Sequence, residues 1–395
     1  MNLKKKIAVL LNGPIKNDYR VIKVITTLSK QNQVDLFYIN GTSSDQSIFN
    51  NNVNLYPVDC QDSISKKIIR NTLFYLEFNF FKAEVLAKNV RYDYVVANDL
   101  PTLLPAFKIA TQLSSKLVYD SHEIYIETIN QFFPREAPLH KKIIYSACKL
   151  LMTCSGKIIE RKIVKRSDFM ITVNSSLKDY FIKHYSPKKI DVVMNFPYSK
   201  RGGLVTGKID FRNEYNWSND DLIFLYQGVL NEGRGLRLML GAMCRVNSSC
   251  KLIILGDGFI KSDLKQTVKD YKLKENVKFI NKVALSDLPK YTRSVDVGVN
   301  LLESTNLSKK LASPNKLFEY IHAEIPIMCS YSIENDRVMN RYNVGFSTYN
   351  NIFDVVNVME KFVLCDKTSF KLNCKIASKE YVWESQEALI NSIFS

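Results

Sequence analysis

Short runs of apolar residues, rich in β-branched and aromatic side chains, alternate along the chain with longer amphipathic stretches. Such runs are typical of strands that are buried on both faces, and the stretches between them are long enough for crossover helices. The pattern therefore predicts parallel βαβ units and an α/β fold. The predicted strands are Ile7–Leu11, Val34–Ile39, Tyr94–Ala97, Lys116–Tyr119, Phe169–Val173, Leu222–Tyr226, Lys251–Leu255, Val277–Ile280, Val297–Leu301 and Ile327–Ser330.

The alternation pauses at Met194–Lys208, a segment that contains Pro197, Gly202 and Gly203. Because Pro and Gly interrupt regular structure, we interpret this segment as a hinge between two domains. A chain of 395 residues is long enough for two separate cores. We predict Rossmann-like domains over residues 1–198 and 199–378, followed by a C-terminal helix over residues 379–395 that returns to the first domain. Its possible anchors are Tyr381, Trp383, Leu389 and Ile390.

The N-terminal sequence MNLKKKIAVLLNGP has the charges of a signal peptide, but its apolar run is short and ends at Asn12. We interpret that run as a first buried strand. No stretch approaches the ~20 apolar residues that a spanning helix needs. The eight cysteines include no CxxC pair, and no Asp-x-Asp pair ends a strand, so the sequence predicts neither a disulfide scaffold nor a metal site. We therefore expect a cytoplasmic protein.

The net charge of +16 at pH 7 favours anionic partners, which include sugar diphosphates, lipid phosphates and nucleic acid. No RNA- or DNA-binding motif supports the last of these. Pro138–Asp168 interleaves apolar residues with eight basic ones, a pattern typical of a helix that binds an anionic membrane surface. Asn71–Leu86 is an aromatic-rich stretch that fits either such a surface or a helix packed in the core.

The run SPNKLFEYIHAEIP, Ser313–Pro326, combines a turn signal with a helix that carries Lys316 and Glu319. Pro314 suits the entry to a helix because its ring pre-sets φ and its missing N–H costs nothing there. The free N–H groups of the first turn suit a phosphate, to which Lys316 would add a charge. Glu319 shares a helical face with Lys316 and is placed to accept two ribose hydroxyls. An ordinary capped surface helix is the alternative.

Two glycine-containing loops follow predicted strands in the same half of the chain. In Leu222–Leu240 the strand ends at Gly228, and the following loop has Arg234 between two glycines. Glycine lets backbone approach a ligand closely, and Arg offers a forked donor to phosphate. The second loop, Leu255–Phe259, has the sequence LGDGF and contains Gly256. Taken alone, each loop is equally compatible with a surface turn.

In the first half, two predicted strands end in polar residues. Asn98-Asp99 follows one strand, and Asp120-Ser121-His122-Glu123 follows the next. The ends of parallel strands share one edge of a sheet, which is where α/β proteins bind ligands. A packed or solvent-facing histidine is the alternative for His122. Asp18 and Arg20, at the start of the first predicted helix, would either anchor that helix or face an acceptor.

These segments together resemble the family-4 retaining glycosyltransferases, and in particular the branch with an SPNK-type entry to the helix. The resemblance implies the GT-B fold, in which two Rossmann-like domains face each other across a cleft. It also implies a metal-independent hexosyltransferase that needs no cofactor, with a nucleotide-diphosphate sugar as donor substrate. It covers nearly the whole chain and is strongest around Ser313–Pro326.

The resemblance assigns roles to individual positions. In that family the glutamate that matches Glu319 binds the donor ribose, and a basic group near Lys316 helps backbone amides to hold the diphosphate. Arg234 matches the second member of a basic pair on the diphosphate, and His122 matches a histidine that approaches the donor sugar. The implied catalytic residues are therefore His122, Arg234 and Lys316. The implied donor-binding residues are Gly13, Gly228, Arg234, Gly256, Pro314, Asn315, Lys316, Leu317 and Glu319, with Asp99 and Glu123 on the acceptor side.

Four positions depart from the family pattern. Leu311 stands where another glutamate is common, which bears on recognition of the donor sugar. Val229 stands where the first basic residue of the pair is usual, so that the chain would rely more on Arg234 and Lys316. Glu324 replaces a common glycine, and the glycine-rich loop after the first strand is reduced to Gly13.

We expect transfer of a sugar to a cell-surface polysaccharide or lipid-linked acceptor, by a protein that is cytoplasmic and peripheral on the inner membrane face. Two alternatives are a GT-B epimerase acting on a free nucleotide sugar and a non-catalytic GT-B subunit. An epimerase needs neither an acceptor nor a basic membrane face. Leu311 points toward the non-catalytic subunit, whereas Arg234, Lys316, Glu319 and His122 favour an enzyme.

Overall fold

The computed structural model describes residues 4–58, 79–129, 138–199 and 207–395. The chain forms two compact units, Met1–Met194 together with Gln386–Ser395, and Asn195–Ser385. Two sequence interpretations lie partly outside the described residues: the aromatic-rich stretch, at residues 71–78, and the proposed hinge, at residues 200–206.

The first unit contains a parallel sheet of seven strands in the order β3-β2-β1-β4-β5-β6-β7. The chain runs outward from β1 in one direction and then resumes at β4 on its other side, so the switch point lies between β1 and β4. The strands are β1 Lys6–Leu11, β2 Gln33–Ile39, β3 Val53–Val58, β4 Tyr94–Asn98, β5 Lys116–Ser121, β6 Phe169–Thr172 and β7 Ile190–Val192.

The second unit contains a parallel sheet of six strands in the order β10-β9-β8-β11-β12-β13. Its switch point lies between β8 and β11, and the strand order is that of a Rossmann fold. The predicted α/β fold with two Rossmann-like domains is therefore confirmed. The strands are β8 Leu222–Gln227, β9 Cys250–Leu255, β10 Val277–Ile280, β11 Val297–Asn300, β12 Ile327–Ser330 and β13 Gly345–Thr348.

Helices connect the strands, and many begin at a side-chain cap. Asp18, Asn174, Ser332 and Asn351 each accept a hydrogen bond from a backbone N–H of the turn that follows. The α-helices of the first unit are Tyr19–Ser29, Asn79–Ala87, Asp99–Leu113, Tyr125–Thr128, Leu139–Val164 and Ser175–Tyr185, with 3-10 turns at Ile15–Asn17 and Ser43–Ile48. The later helices are Phe211–Glu214, Leu236–Met243, Lys261–Asp270, Leu288–Thr292, Leu307–Lys310, Asn315–His322, Ile333–Tyr342, Ile352–Leu364, Thr368–Glu380 and Glu384–Ile393.

All ten strands predicted from apolar runs are confirmed to within two residues at each end. Three strands were missed, β3, β7 and β13, and each lies at an edge of its sheet; the fourth edge strand, β10, was predicted. An outer strand has a neighbour on one side only, so its side chains are partly exposed and its sequence is not uniformly apolar.

The prediction of one final helix is wrong in its bounds, because the segment breaks between Glu380 and Glu384. Trp383 lies in this break with its side chain fully buried. Its backbone N–H donates to the Pro197 carbonyl (2.8 Å). Beyond the break, the Glu384–Ile393 helix adds Ile390 and Ile393 to the buried residues.

The end of the chain packs into the first unit. Lys30 Nζ lies 2.6 Å from a Glu387 carboxylate oxygen, and the Tyr94 hydroxyl donates to the Ser395 carbonyl (2.8 Å). The rings of Tyr94 and Phe394 are 5.1 Å apart. No helix among the described residues is long and apolar enough to cross a membrane.

Candidate functional site

In the second unit, the ends of β8 and β9 meet backbone to backbone. Gly228 and Gly256 adopt φ values of +129° and +147°. A Cβ at Gly256 would lie 1.9 Å from the Gly228 carbonyl oxygen, so no side chain fits there. Gly228 is exposed at this end of the sheet, beside the switch point, whereas Gly256 is buried.

The Asn315–His322 helix begins at the same edge. Pro314 precedes it with φ −67° and ψ 128°, the extended geometry expected at a helix entry. The side chain of Leu317 is fully buried, and its N–H donates to the Pro314 carbonyl (3.1 Å). Asn315 is exposed. This arrangement offers the N–H groups of a first helical turn to an anion.

Lys316 is buried at this helix N-terminus. Its Nζ lies 3.7 Å from the centre of the Tyr226 ring, and 3.9 Å from where a Cβ on Gly228 would be. Burial and the nearby Arg234 charge lower the pKa of Lys316 well below its usual value, against the opposing effect of Glu319. An anion bound here would reverse this effect, because it would compensate the buried ammonium charge.

Arg234 sits between two glycines in left-handed geometry, Gly233 (φ +77°) and Gly235 (φ +68°). Glu303, from the loop after β11, fixes this turn: its N–H donates to the Gly233 carbonyl (3.0 Å) and its carboxylate accepts from the Gly235 N–H (3.2 Å). Lys309 Nζ also lies against Gly233, since a Cβ there would come within 2.1 Å of it. This end of the sheet therefore carries three cationic side chains, Lys309, Arg234 and Lys316.

Glu319 lies one turn after Lys316 and is partly buried. One of its carboxylate oxygens accepts a hydrogen bond from the Gln227 side-chain amide (2.6 Å). The next residue, Tyr320, is fully buried, and its hydroxyl lies within hydrogen-bond distance of the Leu225 and Val299 carbonyls. The tyrosine thus holds the helix against β8 and β11, and with it the carboxylate at a defined position.

In the first unit, His122 lies among three carboxylates at the ends of β4 and β5. Its Nδ1 is 3.3 Å from Asp99 and 3.9 Å from Asp18, and its Nε2 is 3.6 Å from Asp120. Asp99 adopts φ +58°, a left-handed conformation that Asp tolerates better than most residues, and accepts the His122 backbone N–H (2.9 Å). Arg20 is buried and paired with Asp120 at 2.7 Å.

The charges of this cluster compensate one another. Burial would lower the pKa of His122, but Asp99 and Asp120 raise it to about 9, so the imidazolium is the main form at neutral pH. Burial would raise the pKa of Asp120, but Arg20 and His122 lower it to about 2. Burial raises the pKa of Asp99 above its usual value, against the effect of His122. The cluster can therefore present a held, positively charged donor to an oxygen atom.

Three further positions of the first unit that the sequence singled out are Gly13, Glu123 and Arg20. Gly13 would accept a Cβ without any contact within 4 Å. Glu123 is partly buried, and its carbonyl accepts from the Ser121 hydroxyl (3.0 Å). Arg20 also donates to the Val193 carbonyl. Because it is buried, it anchors the start of the first helix and does not face an acceptor.

The Leu139–Val164 helix, called here the basic helix, packs against the Asp99–Leu113, Tyr125–Thr128 and Ser175–Tyr185 helices. Glu160 on this helix is fully buried and accepts a hydrogen bond from the Tyr119 hydroxyl of β5 (2.7 Å). Burial raises the pKa of Glu160 to about 7. Exposed positions of the same helix carry apolar side chains that are between 54% and 75% exposed: Leu139, Ile143, Ile144, Leu150, Leu151 and Ile158.

The sequence interpretation missed several residues at these sites. Gln227 and Thr292 stand behind Glu319, Tyr226 underlies Lys316, and Glu303 fixes the turn at Arg234. Gln227 left a signal, because it is the one polar residue in the strand LIFLYQ. Within the described parts of the chain, no group of three or more His, Cys, Asp or Glu side chains could hold a metal ion.

Comparison with known proteins gives a family match and distant relatives. Residues 207–375 match the family model described as "Glycosyl transferases group 1". The chain is 21% identical over 381 residues to the chitobiosyldiphosphodolichol beta-mannosyltransferase of Candida albicans, covering 87% of this chain and 76% of that protein. It is 28% identical over 115 residues to the N-acetylgalactosamine-N,N'-diacetylbacillosaminyl-diphospho-undecaprenol 4-alpha-N-acetylgalactosaminyltransferase of Campylobacter jejuni, covering 28% of this chain and 32% of that protein.

Solved structures share the fold. The sucrose-phosphate synthase of Thermosynechococcus elongatus matches with a TM-score of 0.72 and 15% identity, covering 99% of this chain and 98% of that one. The resemblance to glycosyltransferases and the GT-B type of fold are thereby confirmed. The family match falls within the second unit, which carries Arg234, Lys316 and Glu319.

Proposed function

We propose that this glycosyltransferase is a retaining, family-4-like enzyme that moves a sugar from a nucleoside-diphosphate donor to a lipid-linked or polysaccharide acceptor. The observation that carries the proposal is the group formed by Lys316, Arg234 and Glu319 at the switch point of the second unit. A buried cation, a forked cation and an oriented carboxylate suit a diphosphate followed by a ribose. The family match over residues 207–375 supports this assignment.

The donor diphosphate is assigned to the N-terminus of the Asn315–His322 helix. Lys316 supplies charge under the phosphates, and the backbone at Gly228 and Gly256 permits close approach. Arg234 binds the phosphate oxygens from the loop after β8. Glu319 accepts the ribose hydroxyls, and its distance of one helical turn from Lys316 corresponds to the step from phosphate to ribose.

Transfer breaks the bond between the anomeric carbon and a diphosphate oxygen, and it forms a bond from that carbon to the acceptor oxygen. The proton of the acceptor hydroxyl passes to the departing diphosphate. The leaving group gains negative charge in the transition state, where Lys316, Arg234 and the helix N-terminus stabilise it without a metal ion. From the family resemblance, we assign the His122 imidazolium to a hydroxyl of the donor sugar.

The acceptor is assigned to the side of the basic helix. Its exposed face combines apolar side chains with basic ones, which is the composition of a helix lying in an anionic membrane surface. The names of both curated relatives include a polyprenyl diphosphate, dolichol in one and undecaprenol in the other. A lipid-linked acceptor held at the inner membrane face would bring such a substrate to the first unit, with the protein attached peripherally.

The proposal is tested by incubating the protein with UDP- and GDP-sugars and a lipid extract of membranes. We expect one donor to release its nucleotide and to label a lipid product with its anomeric configuration preserved, as read by NMR. Arg234→Ala should abolish most of the release, and Arg234→Lys should restore only part of it, because lysine lacks the fork. Interconversion of free nucleotide sugars would identify an epimerase instead. Absence of both binding and turnover with every donor would indicate a non-catalytic subunit.

A further inference from the structure

Gln227 and Thr292 form a buried polar pair directly behind Glu319. Gln227 is the last residue of β8 and Thr292 the last residue of the Leu288–Thr292 helix, and each side chain is 2% exposed. The Thr292 hydroxyl lies 2.8 Å from Gln227 Oε1, and Gln227 Nε2 lies 2.6 Å from Glu319 Oε2. A chain of two hydrogen bonds therefore leads from the interior to the carboxylate.

The carboxylate determines the orientation of the Gln227 amide. An ionised carboxylate only accepts hydrogen bonds, so the amide nitrogen must face Glu319. The opposite orientation would place two acceptor oxygens 2.6 Å apart. The amide oxygen then faces Thr292, whose hydroxyl also lies 2.9 Å from the Leu288 carbonyl and has a single proton to donate. The hydroxyl satisfies an amide oxygen that would otherwise be buried without a partner.

The backbone reinforces this arrangement. The Gln227 N–H points at the Tyr320 hydroxyl (3.3 Å), and Tyr320 directly follows Glu319 in the helix. A Cβ at Gly298 would lie 2.4 Å from the Tyr320 ring, so the ring packs directly on the β11 backbone. The Glu319 side chain and the helix next to it are therefore both held against the end of β8.

We propose that Gln227 is a positioning residue which, held by Thr292, fixes the Glu319 carboxylate for a ribose and so makes the site prefer ribonucleotides to deoxyribonucleotides. The inference rests on the proposed donor site. Gln227 occupies one carboxylate oxygen from behind and restricts rotation of the carboxylate. A ribose with two adjacent hydroxyls then meets a fixed acceptor, whereas a freely rotating carboxylate would adapt to a single hydroxyl at little cost.

The test measures binding of UDP and GDP, and of their 2′-deoxy and 3′-deoxy forms, by isothermal titration calorimetry. For the nucleotide that binds, wild type should prefer the ribonucleotide by about 10- to 100-fold, the ratio expected from one hydrogen bond to a charged group. Gln227→Met keeps the side-chain volume and removes the amide. It should reduce this ratio to below about 3-fold, mainly by weakening ribonucleotide binding.

Two further variants separate positioning from folding. Thr292→Val is nearly isosteric and should lower the ratio as well, while Thr292→Ser keeps the hydroxyl and should restore it. Gln266→Met is the matched control, because Gln266 makes the same amide-to-carboxylate bond to Asp270 (2.7 Å) on an exposed helix of the same unit. This control should leave the ratio unchanged. If Gln227→Met fails to fold, the two Thr292 variants decide the question.

The outcomes distinguish the inference from the proposed function. A wild-type preference that survives in both Gln227→Met and Thr292→Val overturns the positioning role and leaves the donor site intact. Equal weakening of ribonucleotide and deoxyribonucleotide binding also overturns it, since that result indicates a structural role alone. If wild type binds neither UDP nor GDP, the donor site itself is wrong and the inference falls with it.

Discussion

His122→Gln should remove a pH-dependent part of the stability of the first unit. The histidine lies between Asp99, Asp120 and Asp18, which hold it in the charged form. Glutamine has a similar reach and can donate a hydrogen bond, but it carries no charge. The substitution therefore leaves the carboxylates without their shared cation while changing the packing little.

The expected magnitude follows from the pKa of His122, which rises from 6.5 to about 9 on folding. This difference corresponds to about 3 kcal/mol of unfolding free energy, since each pKa unit is worth ~1.4 kcal/mol. Because the folded pKa is the higher one, the contribution is fully present below pH 6.5 and is lost as the pH rises through about 9. Wild type should thus exceed the variant by about 3 kcal/mol at pH 6 and by little at pH 10.

Urea unfolding between pH 6 and pH 10 measures this difference. Both tryptophans, Trp217 and Trp383, lie in the second unit, so their fluorescence follows that unit, whereas far-UV circular dichroism follows both. The effect should be present in the dichroism and weak in the fluorescence. His140→Gln, an exposed histidine on the basic helix, is the control and should show no such pH dependence.

A difference between wild type and His122→Gln that stays constant from pH 6 to pH 10 would refute the reasoning. It would mean that the ring does not gain its charge from the carboxylates, and that its contribution is one of packing. A difference that grows with pH would reverse the sign of the argument and indicate a neutral imidazole in the folded protein.

Three further predictions concern the donor site and the basic helix. Glu319→Ala should weaken binding of the donor nucleotide by about 1.5–3 kcal/mol in calorimetry while leaving the protein folded, and unchanged affinity would remove it from the ribose. Diphosphate binding should raise the pKa of Lys316, because the bound anion compensates the charge that burial disfavours, and binding should therefore take up a proton at a pH that deprotonates the free side chain. Calorimetry in buffers of different ionisation enthalpy should detect this uptake in wild type and in Lys251→Met, another buried lysine of the same unit, but not in Lys316→Met. Charge reversal on the basic helix should release the protein from acidic liposomes in flotation at low salt, with roughly 1 kcal/mol lost per cation and donor binding unaffected; wild type that fails to float would argue for a soluble acceptor. The reversed residues are Lys157 and Lys162 on this helix and Lys165 at its C-cap.

The sequence was sufficient to predict the inner strands of both sheets because they are buried on both faces, and burial leaves a largely apolar run. The edge strand β10 was predicted as well, although three of its four residues are only partly buried. The outer strands β3, β7 and β13 lack that signature. The spacing of Lys316 and Glu319 was equally readable, since both lie on one helix and helical geometry relates them directly.

Contacts between distant parts of the chain were not readable in this way. Thr292 meets Gln227 across 65 positions, and the Tyr226 ring meets Lys316 only because the Asn315–His322 helix packs back onto β8. Each pairing depends on how a crossover places a helix against a strand, which no local pattern encodes. The break at Trp383 belongs to the same class, since the indole there is buried and the backbone N–H is bonded to the carbonyl of Pro197, which is distant in the sequence.

The packing of the chain end into the first unit has a consequence for synthesis on the ribosome. Residues after Met194 continue as the second unit, and the missing part of the first unit begins only at Gln386. At roughly 5–20 residues per second, the intervening roughly 190 residues take roughly 10–40 s to emerge. The second unit is complete at the end of that interval, whereas the first unit still lacks Gln386–Ser395, although most of the first unit is encoded earlier. The nascent first unit meanwhile presents Tyr94 without its partner Phe394, and ribosome-bound chains probed by proteolysis should show this order of protection.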